Sequence, residues 1–416
     1  MEKKGVLIGP FTQLLPMSGL SLKGALKDSE LTIITKAGIW IEAGMVKEVG
    51  DFDALQQKLE GQVEVQLLEG DFVALPGYID CHTHIAFGGN RANDFAMRNA
   101  GSSYLEIAEA GGGIWSTVKH TRACSQTELQ ALTEQRAEQL LQQGITTIEV
   151  KSGYGLQLDE ELKTLRAIAA ADQHCAADLI STCLAAHMLP KDYAGTAEAY
   201  LEEMANTLFP QLISENLSTR VDAFVERSAF SAEQAKPYFE KAKALGLDIT
   251  VHADQFSTSG SKLAVELGAV SADHLEASTE EEILGLAQSD VVAVALPAAS
   301  LGIGCAFTPA RRLLDAGASL AIATDWNPGS APMGQLINSA SILASMEKLT
   351  NAELFAGITF RAAQALNLSD RGCLAPGMLA DFVIYHTDNY QNITYLQGSL
   401  QPAAVWKNGK KVYHQK

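Results

Sequence analysis

The chain has 416 residues, 47% of them hydrophobic, enough for one large domain or two with a sizeable core. A formal net charge of −18 argues against nucleic acid or an anionic membrane as partner, while leaving room for a small anionic substrate held by a buried arginine. Its six cysteines include no CxxC pair, the usage expected of a reduced cytoplasmic protein rather than a disulfide framework.

Lys3 and Lys4 precede an apolar run, but Pro10, Gln13 and Pro16 interrupt it, so no signal peptide is expected. Within residues 1–71, strand character shows at Leu31–Ile34 and Gly38–Ile41, followed by a turn at Glu42–Met45 into Val46–Val49. The C-terminal end has the same character. Asp381–Tyr385 reads as a strand, and Val405–Lys407 and Lys411–Tyr413 flank Asn408-Gly409, a strong hairpin signal. Residues 1–71 and 376–416 are expected to pair as one small β-sandwich domain.

Residues 72–375 alternate apolar strands with amphipathic helices, the pattern of parallel βα units. Eight strands end near Ile79, Val150, Ala185, Val225, Val251, Ala272, Leu296 and Ala323. Ser125 with Glu128, Ser278 with Glu281, and Thr350 with Glu353 fit capping boxes at helix starts, while Gly144 and Gly246 fit helix stops. Leu129, Leu132 and Leu140 give one helix a buried stripe. Eight such units predict an α/β fold, a (β/α)8 TIM barrel. Phe87–Arg122 shows no clear element and reads as a lid loop. Its Gly111-Gly112-Gly113 does not follow a strand, as a phosphate-binding loop would. Val291–Ala310 carries no charge, but Pro297, Gly302, Gly304 and Pro309 break it. A buried strand followed by a loop is expected there, not a membrane span.

Five of the nine histidines, His82, His84, His187, His252 and His274, fall at or just after expected strand ends, and Asp325 follows the last strand. The carboxyl ends of barrel strands form the active face, so polar residues there read as catalytic. His120, His174, His386 and His414 are left to surface or structural roles. The simplest constellation is one metal ion held by His82, His84, His252 and Asp325, with one position open for water. Such a metal lowers the pKa of bound water towards ~7 and supplies hydroxide as the nucleophile. His274 would serve as a base behind the ligands and Asp325 as a proton carrier. No GxSxG elbow supports a serine nucleophile instead.

In these positions the chain resembles the amidohydrolase superfamily, which carries HxH on the first barrel strand, histidines on the fifth and sixth, and aspartate on the eighth. Many members bridge two metals with a lysine at the end of strand four; here the chain reads Val225-Glu226-Arg227, which implies the mononuclear type. Four stretches narrow the resemblance to the imidazolonepropionase family: Phe87–Arg91, Gly111–Val118, Glu149–Gly155 and Asp325–Ser330. That resemblance implies hydrolytic ring opening of 4-imidazolone-5-propanoate to N-formimidoyl-L-glutamate in histidine degradation. It implies one divalent or trivalent metal per subunit, Zn2+ or Fe3+/Fe2+, and a homodimer. Arg91 then matches the residue that grips the substrate carboxylate, and Tyr104 and Tyr154 line the pocket. His187 touches the substrate and is placed to polarise its ring carbonyl. Gln255 stands where some relatives carry glutamate. Asn327, Gly329 and Ser330 match the product-binding loop, whose backbone amides are natural anion donors. One alternative is another mononuclear amidohydrolase, such as a cytosine- or guanine-type deaminase. A ligand-binding barrel without turnover is an alternative of a different class.

Overall fold

The computed structural model describes residues 5–415, apart from the side chains of residues 104, 105 and 108. Its first five strands are β1 (Val6–Leu14), β2 (Ile34–Glu42), β3 (Met45–Asp51), β4 (Glu64–Leu67) and β5 (Phe72–Pro76). Eight barrel strands follow: β6 (Tyr78–Asp80), β7 (Ile145–Lys151), β8 (Asp178–Ala186), β9 (Arg220–Val225), β10 (Asp248–Ala253), β11 (Ser271–His274), β12 (Val292–Ala295) and β13 (Ser319–Ile322). The chain closes with β14 (Phe382–His386), β15 (Ala404–Lys407) and β16 (Lys410–His414).

Strands β6 to β13 hydrogen-bond in sequence order, each parallel to the next, with helices between them. The ring is completed just beyond the strand ends. Thr83 bridges Trp326, and the Asp80 carboxylate accepts from Thr324 N at 3.0 Å and Thr324 Oγ1 at 2.6 Å. This is the expected eight-stranded barrel. Its strands are almost wholly buried, as parallel strands covered by helices must be.

The remaining strands form one mixed sheet in the order β16-β15-β14-β5-β1-β2-β3, with β4 beside β1. Both chain ends contribute to its core, where Phe382 stacks on Trp406 and meets Phe11 edge-on. Asn408 and Gly409 both take positive φ, the twist that a two-residue hairpin needs. β5 lies in this sheet, so the sheet draws on chain beyond residue 71. Val383, Tyr385 and Val405 also join the barrel's core, locking the two units together.

Several local expectations change. Val6–Leu14 is a strand despite Pro10, and its pairing with β2 shifts register between Ile8 and Phe11 around that proline, which has no N–H for the ladder. Leu31–Ile33 is not strand; β2 begins at Ile34. The second expected capping box is Thr279 with Glu282, one residue beyond Ser278 and Glu281, because the Ser278 hydroxyl is already donated to Asp254. Ser125/Glu128 and Thr350/Glu353 do cap their helices. The loop expected after β12 contains a helix, Pro297–Ile303, entered through its proline at a first-turn position. Among the described residues, no helix is long and apolar enough to cross a membrane.

Phe87–Arg122 is not a loose lid. It holds three helices, Ala92–Asn99, Tyr104–Glu109 and Ile114–Ala123. At 8, 6 and 10 residues they are short, which hides them from a pattern search. Gly112 and Gly113 are packed: a Cβ on Gly112 would run into Asp94, and Gly113 N donates to Asp94 Oδ2 at 2.8 Å.

Candidate metal centre and substrate cavity

His82 and His84 leave β6 on either side of Thr83, whose backbone bridge to Trp326 pins the segment. His252 lies on β10 and Asp325 follows β13, so four ligand candidates come from three strands. The Nε2 atoms of His82 and His252 each stand 3.3 Å from His84 Nε2. Asp325 Oδ1 lies 3.3 Å from His84 Nε2 and 3.6 Å from His82 Nε2. The three imidazoles offer nitrogens within 4.8 Å of one another, close enough to share one ion, while Asp325 Oδ1 approaches two of them and lies outside that group of three.

The tautomers favour a cation. His82 Nδ1 contacts Asp273 Oδ2 at 2.6 Å and His252 Nδ1 contacts Asp222 Oδ2 at 2.8 Å. A proton shared with a carboxylate leaves each Nε2 as a bare acceptor. Burial lowers the pKa of both rings, His252 to about 4, which keeps those lone pairs free. Two such acceptors meeting His84 Nε2 at one buried point fit a metal ion. Asp325 stays ionised: the His84 contact holds its carboxyl below the ordinary range although burial opposes this.

The strained backbone belongs to the same rim. Asp325 has φ +51° and His274 φ +88°, both in the left-handed region that non-glycine residues avoid. Asp325 N donates to His82 O at 3.0 Å, and Thr308 Oγ1 donates to His274 O, so neighbouring segments hold both residues there. His274 Nδ1 faces Glu276 Oε1 at 3.4 Å. Burial acts against the charged ring, but the Glu276 carboxylate wins and the His274 pKa is raised.

Above these ligands opens a cavity of ≈ 710 Å³. His84, His252, His274 and Asp325 reach it, and so do Arg91, Tyr154, His187, Gln255, Asn327, Gly329 and Ser330. Tyr104 begins the helix Tyr104–Glu109, and its side chain lies outside the described ones.

Two expected roles change with the hydrogen bonding. His187 Nδ1 meets Gly153 O at 2.9 Å, and burial lowers the ring's pKa to about 3. A neutral ring that donates through Nδ1 presents Nε2 as an acceptor, so it cannot polarise a carbonyl; it can take a ring N–H. The amides of Gly329 and Ser330 donate to Asn327 Oδ1 at 2.7 and 2.8 Å. They are spent on shaping the loop and do not serve as anion donors.

Sequence reasoning missed several side chains. Arg91 Nε donates to Asp94 Oδ2 at 2.7 Å, which aims its Nη groups. Arg98 supplies a second guanidinium to the cavity. Lys151, Glu149, Asp222 and Asp273 lie fully buried beneath the histidines. A Glu and a Lys two apart at the end of an expected barrel strand, pointing the same way, were the available signal.

The sequence profile of the Amidohydrolase family matches residues 73–412. An imidazolonepropionase of Bdellovibrio bacteriovorus is 39% identical over 98% of this chain and 97% of its own length. One from Pseudomonas aeruginosa is 40% identical over 93% and 96%. The chain belongs to the imidazolonepropionase family of amidohydrolases.

Solved structures extend the likeness in fold. An adenosine deaminase from Xanthomonas campestris with bound zinc superposes with a TM-score of 0.72 at 19% identity, covering 100% of this chain and 94% of that one. An ochratoxinase from A. niger superposes at 0.71 and 17% identity, covering 100% and 97%. In this amidohydrolase the end of β9 carries Glu226, not lysine. Its carboxylate accepts from Phe256 N and Ser257 N at 2.8 Å each and from Ser257 Oγ at 2.7 Å. Glu226 therefore braces the loop that follows Gln255.

Proposed function

We propose that the chain hydrolyses 4-imidazolone-5-propanoate to N-formimidoyl-L-glutamate, a step of histidine degradation, at a centre holding one metal ion. The observation that carries this reading is the convergence of three imidazoles and the Asp325 carboxylate at the floor of a cavity whose wall bears Arg91. Relatives of the same name, alike over nearly the whole chain, support the substrate. Glu226 in place of lysine, already engaged by loop amides, supports a single metal.

His82, His84, His252 and Asp325 would hold the ion, Zn2+ or iron, which supplies Lewis acidity to water and to a carbonyl oxygen. The residues do the rest. Arg91, aimed by Asp94, takes the propanoate carboxylate through paired N–H groups. Tyr154 and His187, their own rings 5.4 Å apart, line one side of the pocket together, and His187 Nε2 accepts a ring N–H. Gln255 bonds the ring's polar edge without titrating. Asn327, Gly329 and Ser330 wall the side where product forms.

Asp325 Oδ2 receives the proton of the attacking water. The ring carbonyl carbon gains that oxygen and its C–N bond breaks. His274, whose Nδ1 is turned to Glu276, hands a proton from Nε2 to the departing nitrogen. The product keeps both fragments in one molecule, and no ammonia leaves. Six free cysteines support a cytoplasmic setting, and the family resemblance supports a homodimer.

Ultraviolet decay of freshly made imidazolone propionate, run beside elemental analysis of the purified protein, tests the proposal. Decay without ammonia release, abolished by a chelator and restored by metal, is expected. Ammonia release from an aminated heterocycle, with the imidazolone untouched, would replace it with the deaminase reading.

A further inference from the structure

Lys151 ends β7 with its side chain wholly inside the barrel, and nothing in the chemistry above uses it. Burying an ammonium is costly unless it is paired and hydrogen-bonded. Here it meets three carboxylates: Glu149 Oε1 at 2.6 Å, Asp222 Oδ2 at 2.9 Å and Asp273 Oδ2 at 3.8 Å.

Each of those carboxylates also reaches a metal-ligand segment. Asp222 takes His252 Nδ1 at 2.8 Å on the same oxygen that faces Lys151, and His252 N at 3.1 Å on the other. Asp273 takes His82 Nδ1 at 2.6 Å, again on the oxygen nearest the lysine. Glu149 Oε2 accepts Thr83 N at 3.2 Å, between His82 and His84. The main chain adds to this link, since Lys151 N donates to Thr83 O at 3.0 Å. One cation therefore gathers three acidic groups that orient the HxH segment and His252.

We propose that Lys151 is the positioning residue of the metal centre. Its ammonium holds Asp222 and Asp273 where they fix the imidazoles of His252 and His82, so metal affinity depends on it while substrate affinity does not. Lys151 is not itself a bridging ligand, because a carbamate formed on its Nζ would face three carboxylates. The inference rests on the metal site of the proposed function and is independent of the substrate assigned there.

The test is competition for Zn2+ between the substrate-free protein and a chromophoric chelator. Lys151→Met is expected to weaken zinc binding about 10- to 100-fold, the usual cost of losing an outer-layer partner. With zinc saturating, KM should stay near the wild-type value. Combined with Asp222→Asn, the two losses should fall well short of multiplying, because both act on His252 through one oxygen. Glu149→Gln added to Lys151→Met removes one uncompensated charge and carries the same measurement if the single variant does not fold. Wild-type zinc affinity in either lysine variant overturns the proposal, as do fully multiplying losses. A chain that folds only with the lysine present also overturns it, in favour of a purely structural cation. Failure of the wild-type protein to bind zinc or iron would instead sink the metal site itself.

Discussion

Arg91 and His274 divide the work of the cavity between holding and proton transfer, and substitution separates them. Arg91 spends Nε on Asp94 and keeps its Nη groups for an anion. A hydrogen bond to a charged group contributes about 1.5–3 kcal/mol. Arg91→Ala should therefore raise KM by about 10- to 100-fold with a smaller change in kcat, read from initial rates across substrate concentration. An unaltered KM would remove Arg91 from the carboxylate. His274 is not among the ligand candidates and is turned by Glu276. His274→Asn should lower kcat by about 10²- to 10⁴-fold, the usual worth of a positioned acid or base. Metal content measured on the same sample should not change.

At the scale of elements, the three helices between residues 92 and 123 shape the cavity, and Asp94 is where they meet. Its carboxylate takes Arg91 Nε from its own helix's entry and Gly113 N from the start of Ile114–Ala123. A Cβ on Gly112 would press on Asp94 Oδ1 and come within 2.9 Å of Ile107 Cγ2. Gly112→Ala must move Asp94, and Arg91 with it. The expected result is a KM raised about tenfold, as for a weakened charged hydrogen bond, with kcat nearly preserved. Thermal unfolding should show a loss of order 1 kcal/mol. A variant with wild-type KM would mean that Asp94 does not aim Arg91.

Over the whole molecule, the terminal sheet and the barrel share charge as well as core. Lys407 on β15 pairs with Asp381 at 2.6 Å and with Asp178 of β8 at 2.7 Å, and the lysine and Asp381 are both nearly sealed from water. Removing one partner of a buried pair leaves the other charge uncompensated, at a cost of about 3–5 kcal/mol. Lys407→Ala should lower the urea midpoint accordingly, with barrel and sheet still unfolding in one transition. Two separated transitions would show that the shared core of Val383, Tyr385 and Val405 does not couple the units.

Much of this was legible in the chain. Strand ends, the HxH pair, His252, His274 and Asp325 could be read because a parallel barrel needs near-continuous apolar strands, and polar residues stand out where those strands stop. The hairpin at Asn408-Gly409 was legible for the same local reason, a turn that only a few residue pairs can make. Short-range chemistry writes itself into short-range sequence. What stayed hidden depends on partners far apart along the chain. Asp94 and Gly113, and the Gly153 carbonyl that sets the His187 tautomer, become meaningful only once folding brings them within 3 Å. The Lys151 cluster is the clearest case. Its members come from three strands, and only barrel closure sets one ammonium beneath three carboxylates. Sequence alone determined which groups could bind a cation; tertiary structure decided their protonation and aim, because both follow from burial and from neighbours that spacing along the chain does not encode.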